Sequence, residues 1–140
     1  QPDLVRFANG VLVQMKSEAG FARAAGVELV LFDCARYFHK AAGIDGLAQI
    51  AKDLGARADP RKLASAALCY ENATVRRLGY MLERAGHLRQ ARALEPFAGK
   101  AKSIKPLDPS ARPLHAALAG PGEKDMKWKL AINVPVEADF

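Results

Sequence analysis

Apolar positions in the middle of the chain recur every three or four residues, which is the period of an α-helix. This pattern predicts a short helix over residues 17–26 and five further helices over residues 27–39, 44–55, 60–72, 73–85 and 87–97. Residues 27–39 are apolar on most faces, so we expect this helix to be central and buried on more than one side. Asp59 and Pro60 predict the start of the third of these five helices, and Gly86 predicts the end of the fourth.

The two ends of the chain carry strand patterns instead. Asn9 and Gly10 separate two β-rich runs within residues 4–15, which predicts a hairpin. Residues 127–136 alternate apolar with polar side chains, as in a half-buried strand. Residues 99–127 are rich in Pro, Gly, Lys and Ser, and we expect disorder there apart from an extended piece at residues 104–107.

This order of elements predicts an α+β fold. A bundle of about four to five helices would pack on a small antiparallel sheet, formed by the N-terminal hairpin and the C-terminal strand. The side chains that we expect in the core from the later elements are Leu78, Met81, Leu82, Trp128, Leu130 and Ile132.

Length and composition fit one globular domain spanning residues 1–140. The chain is 50% hydrophobic and 26% charged, which excludes a disordered segment, and 140 residues exclude a large multidomain enzyme. A net charge of +6 suits an acidic partner such as nucleic acid without proving one. Since no apolar run reaches the roughly 18 residues that span a bilayer, we expect no membrane partner.

The sequence lacks the motifs of common catalytic and metal sites. His39, His87 and His115 have no zinc-ligand spacing, and neither a phosphate loop nor a nucleophile elbow is found. Cys34 and Cys69 lie within predicted helices and form no close pair, so we expect buried, unreactive thiols and a reducing, cytoplasmic location. We therefore expect no catalytic residue, no cofactor and no metal.

Asp33 precedes Cys34 on the predicted central helix. A buried thiol beside a carboxylate is not activated, so we do not expect a reactive pair. Asp33 is expected to cap a helix or to pair with an arginine such as Arg36.

The helix over residues 73–85 carries the strongest binding signal, because its apolar residues fall on one side and its basic residues on the other. We expect the basic side to be a surface for nucleic acid or another partner, unless it is simply a solvated face. The candidate residues of this surface are Arg76, Arg77, Tyr80, Arg84, Arg89 and Arg92.

An alternative is a stand-alone DNA-binding module with a helix-turn-helix at residues 63–85, in which residues 72–86 would supply the recognition helix. Tyr80 and Glu83 on the face that would enter the groove count against it, as does the absence of a basic wing. A nucleotide-handling enzyme is a weaker alternative still, because it would need a phosphate loop or a pair of metal-binding carboxylates.

Four segments of the chain, taken together, resemble a known protein family. They are ENATVRRLGYMLERAG at residues 71–86, VELVLFDCARYFHKAAGIDGLAQI at residues 27–50, PLDP at residues 106–109 and KWKLAINVPVEADF at residues 127–140. In this order they resemble the C-terminal domain of AbiEi antitoxins from type IV toxin–antitoxin and abortive-infection systems. The helix VRRLGYMLE combined with the terminal pattern W-x-L-x-I-N-V-x-V-E is the most specific part, whereas residues 17–26 depart from the family pattern.

The resemblance implies an antitoxin domain that is not an enzyme. The parent protein would also carry an N-terminal winged helix-turn-helix that binds its operator DNA and represses its own operon. The start at Gln1 rather than Met agrees with a chain that lacks this module. The functional partner implied is a nucleotidyltransferase toxin, to which a type IV antitoxin need not bind physically.

Overall fold

A computed structural model of the chain describes residues 26–40, 43–110, 124–134 and 136. In this part of the chain, five α-helices follow one another: α1 (Val27–Tyr37), α2 (Gly43–Gly55), α3 (Pro60–Ala67), α4 (Asn72–Arg84) and α5 (Leu88–Gly99). A 3-10 turn, Phe38–Lys40, extends α1. Three two-residue strands complete the described elements: β1 (Lys105–Pro106), β2 (Lys124–Asp125) and β3 (Leu130–Ala131). The fold is α+β, as the sequence predicts.

The small sheet is mixed and has the order β1-β3-β2. Strand β1 runs parallel to β3, with Lys105 opposite Leu130, and β2 runs antiparallel to β3, with Asp125 opposite Leu130. The described strands therefore all come from the C-terminal part of the chain. The predicted hairpin at residues 4–15 and the predicted helix before Gly26 lie outside the described residues.

Local sequence signals explain where α3 begins. The Asp59 side chain accepts a hydrogen bond from the Arg61 backbone N–H at 2.9 Å, and Pro60 is the first residue of the helix. Helix α3 ends at Ala67, earlier than the predicted residue 72, and a turn follows. Cys69 lies in this turn and is exposed, so the prediction of a buried helical thiol at Cys69 is wrong.

Helix α4, rather than α1, is the central element. All residues from Thr74 to Leu82 are buried, and α4 packs against α1, α2 and α5. Helix α1 buries one side, while Leu29 and Tyr37 on its other side are 43% and 48% exposed. The prediction that residues 27–39 form the central helix is wrong. The number of apolar residues in a helix does not indicate how many other helices pack around it.

The C-terminal segment, defined as residues 100–110 and 124–134, belongs to the same core. Leu107, Trp128 and Leu130 are fully buried in one cluster with the helices, and Ile132 is half-buried against it. Disorder is predicted for residues 99–127, but residues 99–110 and 124–127 are ordered, with Leu107 in the core and Lys105–Pro106 and Lys124–Asp125 in the sheet. Strand β1 confirms the extended piece expected at residues 104–107, and residues 111–123 lie outside the described residues. Among the described residues, no helix is long and apolar enough to cross a membrane.

Candidate functional site

Two adjacent arginines of α4 hold the C-terminal segment in place. Arg76 Nη1 donates to the backbone carbonyls of Lys129, at 2.7 Å, and Ser103, at 3.1 Å. Arg77 donates through Nε and Nη2 to the Pro106 carbonyl, at 3.1 and 3.0 Å. The side chains of this arginine pair therefore link the buried helix to β1, to the loop before it and to the turn that precedes β3.

Burial has the same electrostatic effect on both members of the arginine pair. Arg76 is 3% exposed and Arg77 is 8% exposed. Removal from water lowers the pKa of both guanidinium groups, and for Arg77 the neighbouring charge of Arg76 adds to this while Asp108 and Glu71 oppose it. Charge-assisted hydrogen bonds to carbonyl groups offset part of the cost of burying these cations.

Trp128 anchors the C-terminal segment beside the arginine pair. Its ring lies against Gly79, where an added Cβ would be 2.3 Å from the Trp128 Cζ3 atom. The indole Nε1 donates to Glu83 Oε1 at 3.1 Å. Lys127 pairs with the other oxygen of Glu83 and, at 2.7 Å, with Glu95, and these hydrogen bonds raise the pKa of Lys127. Glycine at position 79 thus makes room for the only tryptophan of the chain.

The structure divides the predicted basic surface in two. Arg76, Arg77 and Tyr80 are buried, so the prediction that they lie on a solvent-facing surface is wrong. The two arginines instead donate to carbonyls of the C-terminal segment. Arg84, Arg89 and Arg92 are exposed, as a surface requires. The Arg84 guanidinium lies 5.7 Å from the centroid of the Tyr80 ring, so Tyr80 supports the exposed group from within the core.

The geometry also argues against a helix-turn-helix at residues 63–85. A recognition helix must present side chains to the major groove, whereas α4 is buried from Thr74 to Leu82. Helix α3 packs mainly against α5 and α1. We therefore find no DNA-reading helix at this position.

The other two candidate side chains, Cys34 and Asp33, have structural rather than catalytic surroundings: one is buried, and the other accepts a hydrogen bond within the fold. Cys34 is buried, and burial together with the Asp33 charge raises the pKa of its thiol to about 12. Asp33 pairs with Tyr70 rather than with an arginine: the Tyr70 hydroxyl donates to Asp33 Oδ1 at 2.7 Å. Burial and this hydrogen bond raise the pKa of Tyr70. In the part of the chain that the structure describes, no group of three or more His, Cys, Asp or Glu residues could hold a metal ion.

One group of basic residues could not be predicted as a site from the sequence. Lys100, Lys102 and Lys105 gather beside Arg76 at the start of α4 and line an open cleft with it. The lysine-rich composition of residues 99–127 predicts only a loop. Nothing in the spacing of these lysines indicates that they meet a helix that precedes them by about 30 residues.

Comparison with known protein families gives one match. The model of the AbiEi antitoxin C-terminal domain matches residues 4–84. This range includes α1 to α4 and the arginine pair, and it ends before the C-terminal segment, to which the resemblance seen in the sequence extends. No curated protein and no solved structure matches the chain. Because the family match covers more than half of the chain, this protein belongs to the AbiEi antitoxin C-terminal domain family, which acts in toxin–antitoxin and abortive-infection systems and is in general not a family of enzymes.

Proposed function

We propose that this chain is the antitoxin effector domain of a type IV system and that it counteracts a nucleotidyltransferase toxin. The observation that carries the proposal is the family match over residues 4–84. The parent protein would also repress its own operon through a separate DNA-binding module. The toxin is a functional partner in this proposal, and stable binding between the two proteins is not required.

We place the contact surface of this domain at Arg84, Arg89 and Arg92. Arg84 is the last residue of α4, and Arg89 and Arg92 lie in the first turns of α5, so the short connection between the helices brings all three to one end of the helix pair. All three are exposed. Their positive charges suit an acidic partner, either operator DNA or an acidic protein surface.

Growth rescue tests the antitoxin proposal. The 140-residue chain is co-expressed with the nucleotidyltransferase toxin encoded beside it, and surviving colonies are counted. We expect survival close to that with an inactivated toxin. As a control, Leu78→Asp places an unpaired charge at a fully buried position and should abolish both folding and rescue. Failure of the soluble, folded chain to rescue growth would contradict the proposal, and rescue by the parent protein alone would show that this domain does not suffice.

Charge reversal tests the surface. We expect Arg84→Glu, Arg89→Glu and Arg92→Glu together to weaken growth rescue or operator binding. An affinity that falls tenfold or more corresponds to a loss of about 1.4 kcal/mol or more in binding free energy. The urea midpoint should change little. The matched control reverses three other exposed cations, Arg57, Arg61 and Lys62. An equal loss in the control, or no loss in the Arg84, Arg89 and Arg92 variant, would remove the surface assignment.

A further inference from the structure

An open cleft of about 420 Å³ lies between the first turn of α4 and the beginning of the C-terminal segment. Four cationic residues line it, Arg76, Lys100, Lys102 and Lys105, against one carboxylate, Glu71. This concentration of positive charge is separate from Arg84, Arg89 and Arg92. Helix α5 returns antiparallel to α4, as the hydrogen bond from the Asn72 side chain to the Phe97 carbonyl shows. The exposed arginines therefore lie toward the other end of the helix pair. Eight residues separate Arg84 from Arg76 and Arg92 from Lys100, which is about 12 Å along the helix axis at 1.5 Å per residue.

Arg76 brings an uncompensated charge to this cleft. It is 3% exposed, and it forms no ion pair within the described ranges. Its Nη1 reaches Ser103, another residue of the cleft wall, while its Nε is buried and has no hydrogen-bond partner among the described residues. A buried cation without a counter-charge is costly. An anion in the adjoining cleft would offset that cost.

The first turn of α4 adds to the same field. The N-cap residue Glu71 makes no capping hydrogen bond with its side chain. The first backbone N–H groups of this 13-residue helix, which have no acceptor within the helix, therefore do not donate to that side chain. The positive end of the helix dipole favours an anion at this point. Lys102 and Lys105 are exposed beside it and make no side-chain hydrogen bond or ion pair with the described part of the chain.

We propose that this cleft binds the phosphate chain of a small polyphosphate, as in a nucleoside di- or triphosphate. The cationic groups converge on one place with helix N–H donors, an arrangement that suits a compact anion with several negative charges. A nucleic-acid strand would instead require a basic track along its backbone, whereas Arg84, Arg89 and Arg92 lie away from the cleft, toward the other end of the helix pair. Binding of a polyphosphate at this cleft does not depend on the antitoxin function.

Nuclear magnetic resonance of the 15N-labelled 140-residue chain tests the cleft directly. The chain is titrated at constant ionic strength with inorganic tripolyphosphate, ATP, AMP and a short single-stranded oligonucleotide. We expect saturable shifts of the amides of Asn72, Ala73 and residues 100–105 and of the Arg76 Nε–H signal. Tripolyphosphate and ATP should both bind, and AMP should bind about tenfold or more weakly because it lacks the phosphate chain.

Two variants with equal loss of charge decide whether the cleft is responsible. Lys102→Gln with Lys105→Gln should weaken tripolyphosphate binding about tenfold, as expected when two contacts together worth about 1.4 kcal/mol are lost. Arg57→Gln with Lys62→Gln is the control, because these exposed cations line a different cleft, beside Gly26 and Asp59. The control should change the affinity about twofold or less, since distant surface charges are screened.

Three results would overturn the proposal. The first is the absence of saturable shifts at the cleft with millimolar tripolyphosphate, and the second is an equal loss of affinity in both double variants. The third is tighter binding of the oligonucleotide with shifts that extend to Arg84, Arg89 and Arg92, which would indicate a nucleic-acid interface instead. Rescue of growth from the toxin is measured separately, so failure of either proposal leaves the other open to its own test.

Discussion

Arg77 and Gly79, two residues apart on α4, hold the C-terminal segment by different means. The Arg77 guanidinium donates two hydrogen bonds to one carbonyl, that of Pro106. Gly79 contributes by having no side chain, which lets the Trp128 ring approach the helix backbone. A buried carbonyl left without its partner costs about 1–3 kcal/mol, and a methyl group forced against a fixed ring costs a similar amount.

Gly79→Ala tests the close approach of Trp128. The new Cβ would lie 2.3 Å and 2.4 Å from two ring carbons, so the ring or the helix must move. We expect the free energy of unfolding to fall by about 1–3 kcal/mol, although alanine is the better helix former by about 1 kcal/mol. Urea denaturation measures the change. Gly99→Ala is the matched control, because an added Cβ there meets nothing within 4 Å; a normal midpoint for Gly79→Ala would disprove the contact.

The two cysteines should differ in reactivity. Burial raises the pKa of Cys34 to about 12, so at about pH 8 it holds almost no thiolate, which is the reactive form. Cys69 is exposed. We expect an aromatic disulfide reagent to modify one thiol per native chain and two in denaturant, and Cys69→Ser to abolish the native reaction. Modification of native Cys69→Ser at the rate seen for the unfolded chain would refute the burial of Cys34.

At the scale of elements, the helices could be predicted from the sequence and their arrangement could not. Apolar spacing and the Asp59–Pro60 signal located α1 to α5, because both are local properties. The burial of Arg76 and Arg77 could not be predicted from the sequence near them. Burial of these cations depends on hydrogen bonds to backbone carbonyls that are 27 to 53 residues away in sequence. These acceptors are the carbonyls of Ser103, Lys129 and Pro106. The local sequence around a buried arginine that donates hydrogen bonds to distant carbonyls does not differ from that around a solvent-exposed arginine.

The C-terminal strand shows the same limit. Alternation correctly placed Trp128 and Leu130 in the core. The pairing is nevertheless confined to Leu130–Ala131, because residues 126–129 turn and Lys129 adopts a positive φ of 53°. The lysines around Arg76 were likewise beyond prediction, since their proximity depends on how the segment after α5 folds back.

The start of α3 offers a test at this scale. Asp59→Ala removes the side-chain acceptor for the Arg61 backbone N–H, and we expect a loss of about 1 kcal/mol in stability. Asp53→Ala is the control, because the exposed Asp53 accepts only a hydrogen bond from Gln49 one turn earlier, worth about 0.2–0.5 kcal/mol. Thermal or urea denaturation distinguishes the two. Equal stability of both variants would mean that the Asp59 cap does not contribute.

For the whole molecule, we expect the helices and the C-terminal segment to unfold as one cooperative unit. Leu107, Trp128 and Leu130 share a core with the helices, and the arginine pair and Lys127 join the same parts through polar contacts. The family match ends at residue 84, before this segment. The structure therefore indicates that the matched helices depend on a part of the chain outside the matched range.

Urea unfolding followed by two signals shows whether the helices and the C-terminal segment unfold together. Fluorescence reports on the C-terminal segment, because Trp128 is the only tryptophan of the chain, and far-ultraviolet circular dichroism reports on the helices. We predict coincident transitions in the native protein and an equal shift of both in Arg77→Lys, which should lose about 1–2 kcal/mol because lysine cannot reproduce the guanidinium geometry. A fluorescence transition at lower urea, or a shift in Arg77→Lys of the fluorescence transition alone, would contradict this prediction by showing that the segment detaches from folded helices.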